Sequence, residues 1–249
     1  MKINVQAHRG ASAYAPENTA PAFRLAVSMG ADGVENDIRL TKDGVYVLSH
    51  DSNINRMSDG KGEVGEMTYE ELLQYDFGVR TNAKFKGTKI ATLKEFLEIV
   101  KDMRVINIEL KPFAPHEDKN YAFKYLHDAL LQFGCTERTI ISSFDHQALK
   151  ELKAAYPELR TALLYGHGMS PEETISFVRS YNADIIHPQL GAVNEKIMEA
   201  CRRNGIEVNV WTVDSNHDIK RAMELGVTGI ITNVPDKVLN VLRENGLHD

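Results

Sequence analysis

The sequence predicts an α/β protein of the (β/α)8 TIM-barrel class, with a small insertion after the second strand. Its 249 residues fall in the range that one barrel domain normally occupies. Short apolar or β-branched runs alternate with longer stretches of helical period, which indicates repeated βα units and a parallel sheet. Eight such repeats occur, as a closed barrel requires. We therefore expect a single domain over residues 1–249, with an open doubly wound sheet as the alternative fold.

The predicted barrel strands are short runs rich in Val, Ile, Leu and Thr. In chain order they cover residues 3–7, 33–38, 105–110, 139–143, 161–165, 184–187, 207–213 and 229–232. Helical patterns between them cover residues 19–29, 93–103, 121–133, 146–156, 171–181, 194–203, 216–225 and 235–244. Ser170-Pro171 is typical of a helix start, and Gly205 and Gly226 are typical of helix ends. The spacing agrees with repeated βα modules.

One region between the second and third barrel strands departs from the repeat. Residues 45–49 form a ninth strand-like run, and the Asp43-Gly44 pair before it is a hairpin signal. We expect this run to fold back against the second strand. Residues 51–88 are rich in Gly, Asp, Asn and Lys, with a short helical piece at 69–75. This stretch is predicted to be an insertion on one face of the barrel that forms part of a substrate rim.

Charge and hydropathy restrict the classes of partner. The formal net charge of −6 argues against broad nucleic-acid binding, and no apolar run approaches the roughly 18 to 20 residues that a membrane span needs. The N-terminal MKINVQAHRG contains no apolar signal-peptide region, so we expect a cytoplasmic protein without stable membrane insertion. A small anionic substrate would have to be attracted locally, by a metal ion or by individual Arg and Lys residues. The sequence leaves homo-oligomerisation open.

Acidic residues collect where the predicted strands end, which is where barrel enzymes assemble their active sites. Glu35 and Asp37 are two residues apart on the second strand, so their side chains point to the same side. Glu109 and Lys111 have the same spacing on the third barrel strand. Burying carboxylates unpaired would cost several kcal/mol per ion, so a cation must accompany them. Hard oxygen ligands favour Mg²⁺ or Ca²⁺.

Ion pairing within the protein is the alternative explanation of these acidic residues. In that arrangement Glu35 and Asp37 form a ring of salt bridges with Arg39, Arg9 or Lys111, and the site needs no metal ion. Zinc is disfavoured, because no cluster of Cys or His residues has the usual zinc-ligand spacing.

Two histidines fall beside the acidic residues. His8 ends the first strand, and His50 follows the hairpin strand. Imidazoles titrate near neutral pH, so a pair on opposite sides of a scissile bond can take a proton from the nucleophile and give one to the leaving oxygen. A structural role is the alternative for a histidine at a strand end.

Three further residues are candidates for substrate contacts. Arg9 can grip a phosphate through two oxygens, and Lys111 adds a point charge beside the metal site. Trp211, the only tryptophan, is either an apolar wall against a substrate headgroup or a side chain of the barrel core.

Seven short motifs, in order along nearly the whole chain, resemble those of the glycerophosphodiester phosphodiesterases of the bacterial cytoplasmic type. They are His8-Arg9-Gly10, Pro16-Glu17-Asn18-Thr19, Glu35-Asn36-Asp37, His50-Asp51, Glu109-Leu110-Lys111, Trp211-Thr212 and Thr232-Asn233-Val234-Pro235. Each motif is weak alone, but seven in register are highly specific. The resemblance implies a TIM barrel that hydrolyses deacylated phospholipids, such as glycerophosphocholine and glycerophosphoethanolamine, to sn-glycerol 3-phosphate and an alcohol.

The resemblance also implies roles for individual residues. It places a Mg²⁺ or Ca²⁺ ion on Glu35, Asp37 and Glu109, and phosphate contacts on Arg9 and Lys111. It makes His8 the proton acceptor and His50 the proton donor. Glu17 either orients His8 or lines the substrate site. Asn233 departs from the pattern, since many relatives have Asp there, so a role that needs a charge at this strand end is not carried over.

Two alternative functions are also consistent with these motifs. Lysophospholipase D-type hydrolysis of lysophospholipids would call for a long apolar groove or a membrane-facing amphipathic element, and the charged insertion shows neither clearly. A non-catalytic phosphate-ligand binding barrel would have no need of both His8 and His50. For the hydrolytic hypotheses, the nucleophile is either water or the 2-hydroxyl of glycerol, which would give a cyclic phosphate.

Overall fold

The computed structural model describes residues 2–249 and contains nine strands and nine α-helices within them. The strands are β1 (Asn4–His8), β2 (Gly33–Leu40), β3 (Tyr46–Leu48), β4 (Val105–Leu110), β5 (Thr139–Ser143), β6 (Arg160–Tyr165), β7 (Ile185–Pro188), β8 (Glu207–Val210) and β9 (Gly229–Thr232). The helices are α1 (Ala20–Ser28), α2 (Tyr69–Leu72), α3 (Leu93–Val100), α4 (Lys119–Gln132), α5 (His146–Ala155), α6 (Pro171–Ser180), α7 (Glu195–Arg203), α8 (Asn216–Leu225) and α9 (Pro235–Glu244). None of these helices combines the length and the apolar character needed to cross a bilayer.

Eight of the strands form a closed parallel barrel. Neighbours pair in the order β1, β2, β4, β5, β6, β7, β8 and β9, and β9 pairs again with β1. The short β3 runs antiparallel to the end of β2, as the Asp43-Gly44 hairpin signal predicts. The predicted (β/α)8 TIM barrel is therefore confirmed, and the open-sheet alternative is wrong.

Apolar side chains fill the space between the barrel and its helices, while part of the barrel interior is polar. Phe23 of α1 and Phe96 of α3 belong to the large buried cluster, and their rings meet edge to face with centroids 4.7 Å apart. Inside the barrel, Gln6 donates to Asn4 at 2.9 Å and accepts from Asn107 at 3.2 Å. These bonds satisfy amide groups that would otherwise be costly to bury.

The strand register decides which side chains meet at the mouth of the barrel. His8 lies opposite Glu35 across the β1–β2 pair, and Asp37 lies opposite Glu109 across the β2–β4 pair. Glu35 and Asp37 share one face of β2, because side chains alternate along a strand. Four polar side chains from three neighbouring strands are thereby brought together.

The insertion at residues 51–88 packs on a second, smaller apolar cluster. Its buried members are Val47, Ile54, Val64, Leu72, Phe77 and Ile90. A capping box formed by Thr68 and Glu71 starts α2. The predicted helix at 69–75 is shorter in the structure, because the N–H groups of Gln74 and Tyr75 bond to carbonyls three residues back instead of four.

Candidate active site

Three buried carboxylates converge at the carboxyl ends of β2 and β4. Glu35 is 4% exposed, Asp37 is fully buried and Glu109 is 9% exposed. One oxygen from each lies within 4.8 Å of the other two. The convergence that the sequence predicts for these acidic residues is therefore present in the structure.

Two cationic side chains lie among the carboxylates. Lys111 Nζ lies 2.7 Å from Asp37 Oδ1 and also contacts Glu109 Oε1. Arg9 Nε lies 3.3 Å from Asp37 Oδ2, and the Arg9 backbone N–H donates to Glu35 Oε2 at 2.9 Å. The alternative ring of salt bridges is thus partly formed, by Arg9 and Lys111.

Arg39, the third candidate for that ring, points elsewhere. Its Nε and Nη2 atoms donate to the backbone carbonyl of His50 at 3.2 and 2.8 Å. The guanidinium therefore fixes the loop that carries His50, while three carboxylates share the two cations Arg9 and Lys111.

The excess of negative charge shifts the pKa values of the three carboxyl groups. Burial and the neighbouring Asp37 and Glu109 raise the pKa of Glu35 well above its usual value. Burial and the Asp37 charge raise the pKa of Glu109 to about 7. The pKa of Asp37 is lowered, because Lys111 and Arg9 outweigh its burial. A further cation would relieve the repulsion, and the all-oxygen donor set fits Mg²⁺ or Ca²⁺.

His8 is held on one side of the carboxylates. Its Nδ1 atom lies 2.7 Å from Asn233 Oδ1, and its Nε2 atom lies 3.9 Å from Glu35 Oε2. Burial and the adjacent Arg9 charge lower the pKa of His8 to about 4. His8 is therefore neutral near pH 7 and able to accept a proton.

His50 follows β3 and hydrogen-bonds to a carboxylate. Its Nδ1 atom lies 2.8 Å from Asp51 Oδ1, and its side chain is 37% exposed. Burial and the charges of Lys111 and Arg9 lower the pKa of His50, while the Asp37 charge and the hydrogen bond to Asp51 oppose that effect. Because Asp51 is an anion and Asn233 is neutral, the imidazolium form is better supported at His50 than at His8.

Both histidines line one small cavity at the barrel mouth. The cavity measures about 90 Å³. Its wall includes six of the candidate residues: His8, Arg9, Glu35, His50, Glu109 and Trp211. The structure thus brings most of the site residues predicted from the sequence to a common space. Asp37 lies opposite Glu109 on the neighbouring strand, and Lys111 contacts both carboxylates.

Glu17 contacts Arg9, the neighbour of His8. Glu17 Oε1 accepts from Arg9 Nη1 at 3.0 Å, and the same carboxylate accepts two bonds from Arg56 of the insertion, at 3.0 and 2.7 Å. Arg56 also donates to Asp51 at 2.7 Å. The insertion is therefore tied to both sides of the site, through a residue that no motif in the sequence marks.

Trp211 lies one residue beyond β8, although the sequence predicted a strand extending to residue 213. Its backbone instead makes an isolated parallel bridge with Gln189, and its indole Nε1 donates to the His187 carbonyl at 2.7 Å. The ring meets Phe144 edge to face, with centroids 5.9 Å apart, and Phe144 is 48% exposed. These two rings form an aromatic wall on one side of the mouth.

Asn18 is a further part of the site whose contact the sequence alone did not reveal. Its Nδ2 atom donates to Asp37 Oδ2 at 2.7 Å, and its Oδ1 atom accepts from the Asp37 backbone N–H at 3.2 Å. The only sequence signal for Asn18 is its place in the Pro16-Glu17-Asn18-Thr19 motif. The amide fixes the rotamer of Asp37 and leaves its other oxygen turned towards Lys111.

Comparison with known proteins agrees with this geometry. The model of the glycerophosphoryl diester phosphodiesterase family matches residues 8–237. A glycerophosphodiester phosphodiesterase of Caldanaerobacter subterraneus subsp. tengcongensis is 38% identical, over 99% of this chain and 100% of the relative. Another, from Bacillus altitudinis, is 32% identical over 96% of this chain and 97% of the relative.

Solved structures are similar over nearly the whole chain. A phosphodiesterase of Oleispira antarctica, in complex with the product sn-glycerol-3-phosphate, has a TM-score of 0.89 and 25% identity, and the match covers 97% of each chain. A glycerophosphodiester phosphodiesterase of Agrobacterium tumefaciens has a TM-score of 0.79 and 28% identity, covering 94% of this chain and 97% of the other.

Proposed function

The chain belongs to the glycerophosphoryl diester phosphodiesterase family, and we propose that it hydrolyses glycerophosphodiesters such as glycerophosphocholine and glycerophosphoethanolamine. The products are sn-glycerol 3-phosphate and the corresponding alcohol. The observation that carries this proposal is the buried group of Glu35, Asp37 and Glu109, whose oxygens lie within 4.8 Å of one another beside His8 and His50. The similar Oleispira antarctica phosphodiesterase binds sn-glycerol-3-phosphate as its product.

Glu35, Asp37 and Glu109 hold one Mg²⁺ or Ca²⁺ ion in this proposal. Their buried oxygens and raised pKa values at Glu35 and Glu109 support a hard dication. When bound, such an ion supplies positive charge for the phosphoryl oxygens. Arg9 adds a guanidinium at the cavity, and Lys111 adds a second positive charge behind it, so an anionic substrate is attracted despite the net charge of −6.

The two histidines perform the proton transfers in this proposal. His8 accepts the proton of the nucleophile at Nε2, and burial together with the Arg9 charge keeps His8 in the neutral form that this role requires. His50 donates a proton to the departing alkoxide, and the Asp51 carboxylate on its Nδ1 supports the imidazolium that this step needs. The neutral Asn233 beside His8 and the anionic Asp51 beside His50 thus favour opposite proton-transfer roles for the two imidazoles.

Two further contacts concern the substrate and the residues that hold it. Trp211, beside Phe144, is proposed to be an apolar wall for the alcohol headgroup. Glu17 is proposed to act at the substrate site through Arg9, because its carboxylate accepts from the guanidinium that would bind phosphate.

A water-soluble diester is favoured over a lysophospholipid. A second cavity of about 210 Å³ adjoins Lys111, between the insertion and residues 111–117. Its wall combines charged and apolar residues: Arg39, Glu63, Glu66, Lys111 and Glu117 line it together with Ile38, Leu40, Tyr46, Pro112 and Phe113. An acyl chain gains its binding energy from continuous apolar surface. Charged side chains interrupt the apolar wall of this cavity, and the cavity that holds His8 and His50 measures only about 90 Å³.

Phosphodiester hydrolysis is tested with the purified protein and glycerophosphocholine. We expect sn-glycerol 3-phosphate to be released, the release to stop when EDTA removes divalent ions, and Mg²⁺ or Ca²⁺ to restore it. An enzyme-coupled glycerol 3-phosphate assay measures the rate. Binding of glycerophosphocholine without release at any metal concentration would instead support the non-catalytic binding barrel.

The nucleophile is tested in the same reaction with labelled solvent. Direct attack by water places one ¹⁸O atom from the solvent in sn-glycerol 3-phosphate and gives no cyclic product. Attack by the glycerol 2-hydroxyl first gives a cyclic phosphate without solvent ¹⁸O, which ³¹P NMR detects early in the reaction. Water enters only when this ring is opened to sn-glycerol 3-phosphate, so the cyclic species decides between the two routes.

A further inference from the structure

Asn233 lies directly behind His8, at the end of β9. Its Oδ1 atom lies 2.7 Å from His8 Nδ1 and accepts from Ser12 Oγ at 2.7 Å. Its Nδ2 atom donates to Asp214 Oδ2 at 2.6 Å. An Asn side chain can be reversed with little change of shape, so the partners of its two ends decide which end faces His8.

Asp214 decides this orientation. An ionised carboxylate only accepts hydrogen bonds, so the end of Asn233 that faces Asp214 must be the NH₂ group. Asp214 is itself fixed, because its Oδ1 atom accepts from the Asn233 backbone N–H and from Thr232 Oγ1, both at 2.9 Å. The amide oxygen of Asn233 is therefore turned towards His8.

The orientation of Asn233 has a chemical consequence at His8. An amide oxygen only accepts, so the neutral imidazole must carry its hydrogen on Nδ1. A neutral imidazole has one N–H group, which leaves the lone pair on Nε2. That nitrogen points to the mouth of the barrel, 3.9 Å from Glu35 Oε2. This is the tautomer that a proton acceptor at this position requires.

We propose that Asp214 and Asn233 are positioning residues, which hold His8 in the tautomer with a free Nε2. The proposal rests on the proposed role of His8 as proton acceptor. Neither residue lines the cavity at the barrel mouth, so both act through His8. The negative charge that the family resemblance implies at position 233 is supplied instead by Asp214, which accepts from the Asn233 amide.

The tautomer of His8 is measured by long-range ¹H–¹⁵N NMR, with the His8 signals assigned by their loss in His8→Gln. In the wild-type protein we expect the hydrogen on Nδ1. In Asp214→Asn the new side chain offers its own NH₂ group, so the Asn233 amide can reverse and present NH₂ to His8. The hydrogen then moves to Nε2, and kcat for glycerophosphocholine falls about 10²-fold with little change in KM.

Asn233→Ala tests the same proposal without the carboxylate change. It removes the acceptor from His8 Nδ1, so the preference for one tautomer is lost and kcat falls. Lys237→Met is the matched control: Lys237 Nζ donates to the backbone carbonyl of Asp214 at 2.7 Å, and its loss leaves the side-chain contacts of Asp214 in place. Both the tautomer and kcat should stay as in the wild type.

Three results would overturn the proposal. They are a hydrogen on Nε2 in the wild-type protein, an unchanged tautomer in both Asp214→Asn and Asn233→Ala, and a changed tautomer with unchanged kcat. The wild-type spectrum locates the hydrogen of His8 even if a variant folds poorly. Thermal unfolding of each variant shows whether it is folded. Failure of the proposed function is distinct, because it appears as absent turnover in a wild-type protein whose His8 tautomer is still measurable.

Discussion

Replacing His50 with Ala is expected to lower kcat for glycerophosphocholine by about 10²- to 10⁴-fold, the range that one general acid contributes. Choline and ethanolamine leave as alkoxides unless they receive a proton, and His50 is the group proposed to supply it. The fold should be unaffected, because the side chain is 37% exposed and lies at the barrel mouth. Steady-state kinetics and thermal unfolding of the variant measure the two effects.

A better leaving group separates the acid from the base. p-Nitrophenolate departs without a proton, so His50→Ala should keep much more activity on a p-nitrophenyl phosphodiester than on glycerophosphocholine. His8→Ala should lose activity on both, because nucleophile activation is still needed. His217→Ala, whose side chain is 84% exposed on α8, serves as the control histidine. Near-normal turnover of glycerophosphocholine by His50→Ala would contradict the assignment.

Glu35→Gln is expected to weaken binding of the dication by about 10²-fold or more. Mutating a residue that only hydrogen-bonds to a metal ligand already lowers metal affinity by about 10- to 100-fold. The change keeps the shape of the side chain and removes one of three buried charges. Without metal, the variant should be more stable than the wild type, because burial and the charges of Asp37 and Glu109 disfavour an ionised Glu35. Titration calorimetry and thermal unfolding in EDTA measure these opposite effects.

Thermal unfolding with and without metal tests whether Glu35 is a metal ligand. Added Mg²⁺ or Ca²⁺ should raise the unfolding temperature of the wild type, because a ligand that binds only the folded state stabilises it. The same addition should leave Glu35→Gln nearly unchanged. Glu63→Gln, an exposed acid of the insertion, should respond as the wild type does. Equal metal-dependent stabilisation of Glu35→Gln and the wild type would remove Glu35 from the ligand set.

The barrel and the carboxylate cluster could be predicted from the sequence because both depend on short-range periodicity. A spacing of two residues places Glu35 and Asp37 on one face of a strand wherever that strand lies. The ends of parallel strands then bring Glu109 to the same edge of the barrel. The pairing of Asp37 with Glu109 follows from that topology.

The supporting contacts could not be predicted, because they join loops that are far apart in sequence. Arg56 reaches Glu17 across 39 positions, and Asn233 reaches His8 across 225. A periodic sequence pattern does not show which distant residues an irregular loop contacts. The end of β8 at Val210 could not be predicted either. The residues that follow are as apolar as a strand, but of these only Trp211 pairs again, in an isolated parallel bridge with Gln189.

In the proposed site, three carboxylates hold one dication between two imidazoles. Anomalous diffraction from crystals soaked in Mn²⁺ tests this arrangement most directly. We predict a single strong peak about 2.0–2.6 Å from an oxygen of each of Glu35, Asp37 and Glu109, with His8 and His50 on either side of it. A peak at some other group of residues, or none at this cluster in metal-saturated and active protein, would contradict the account.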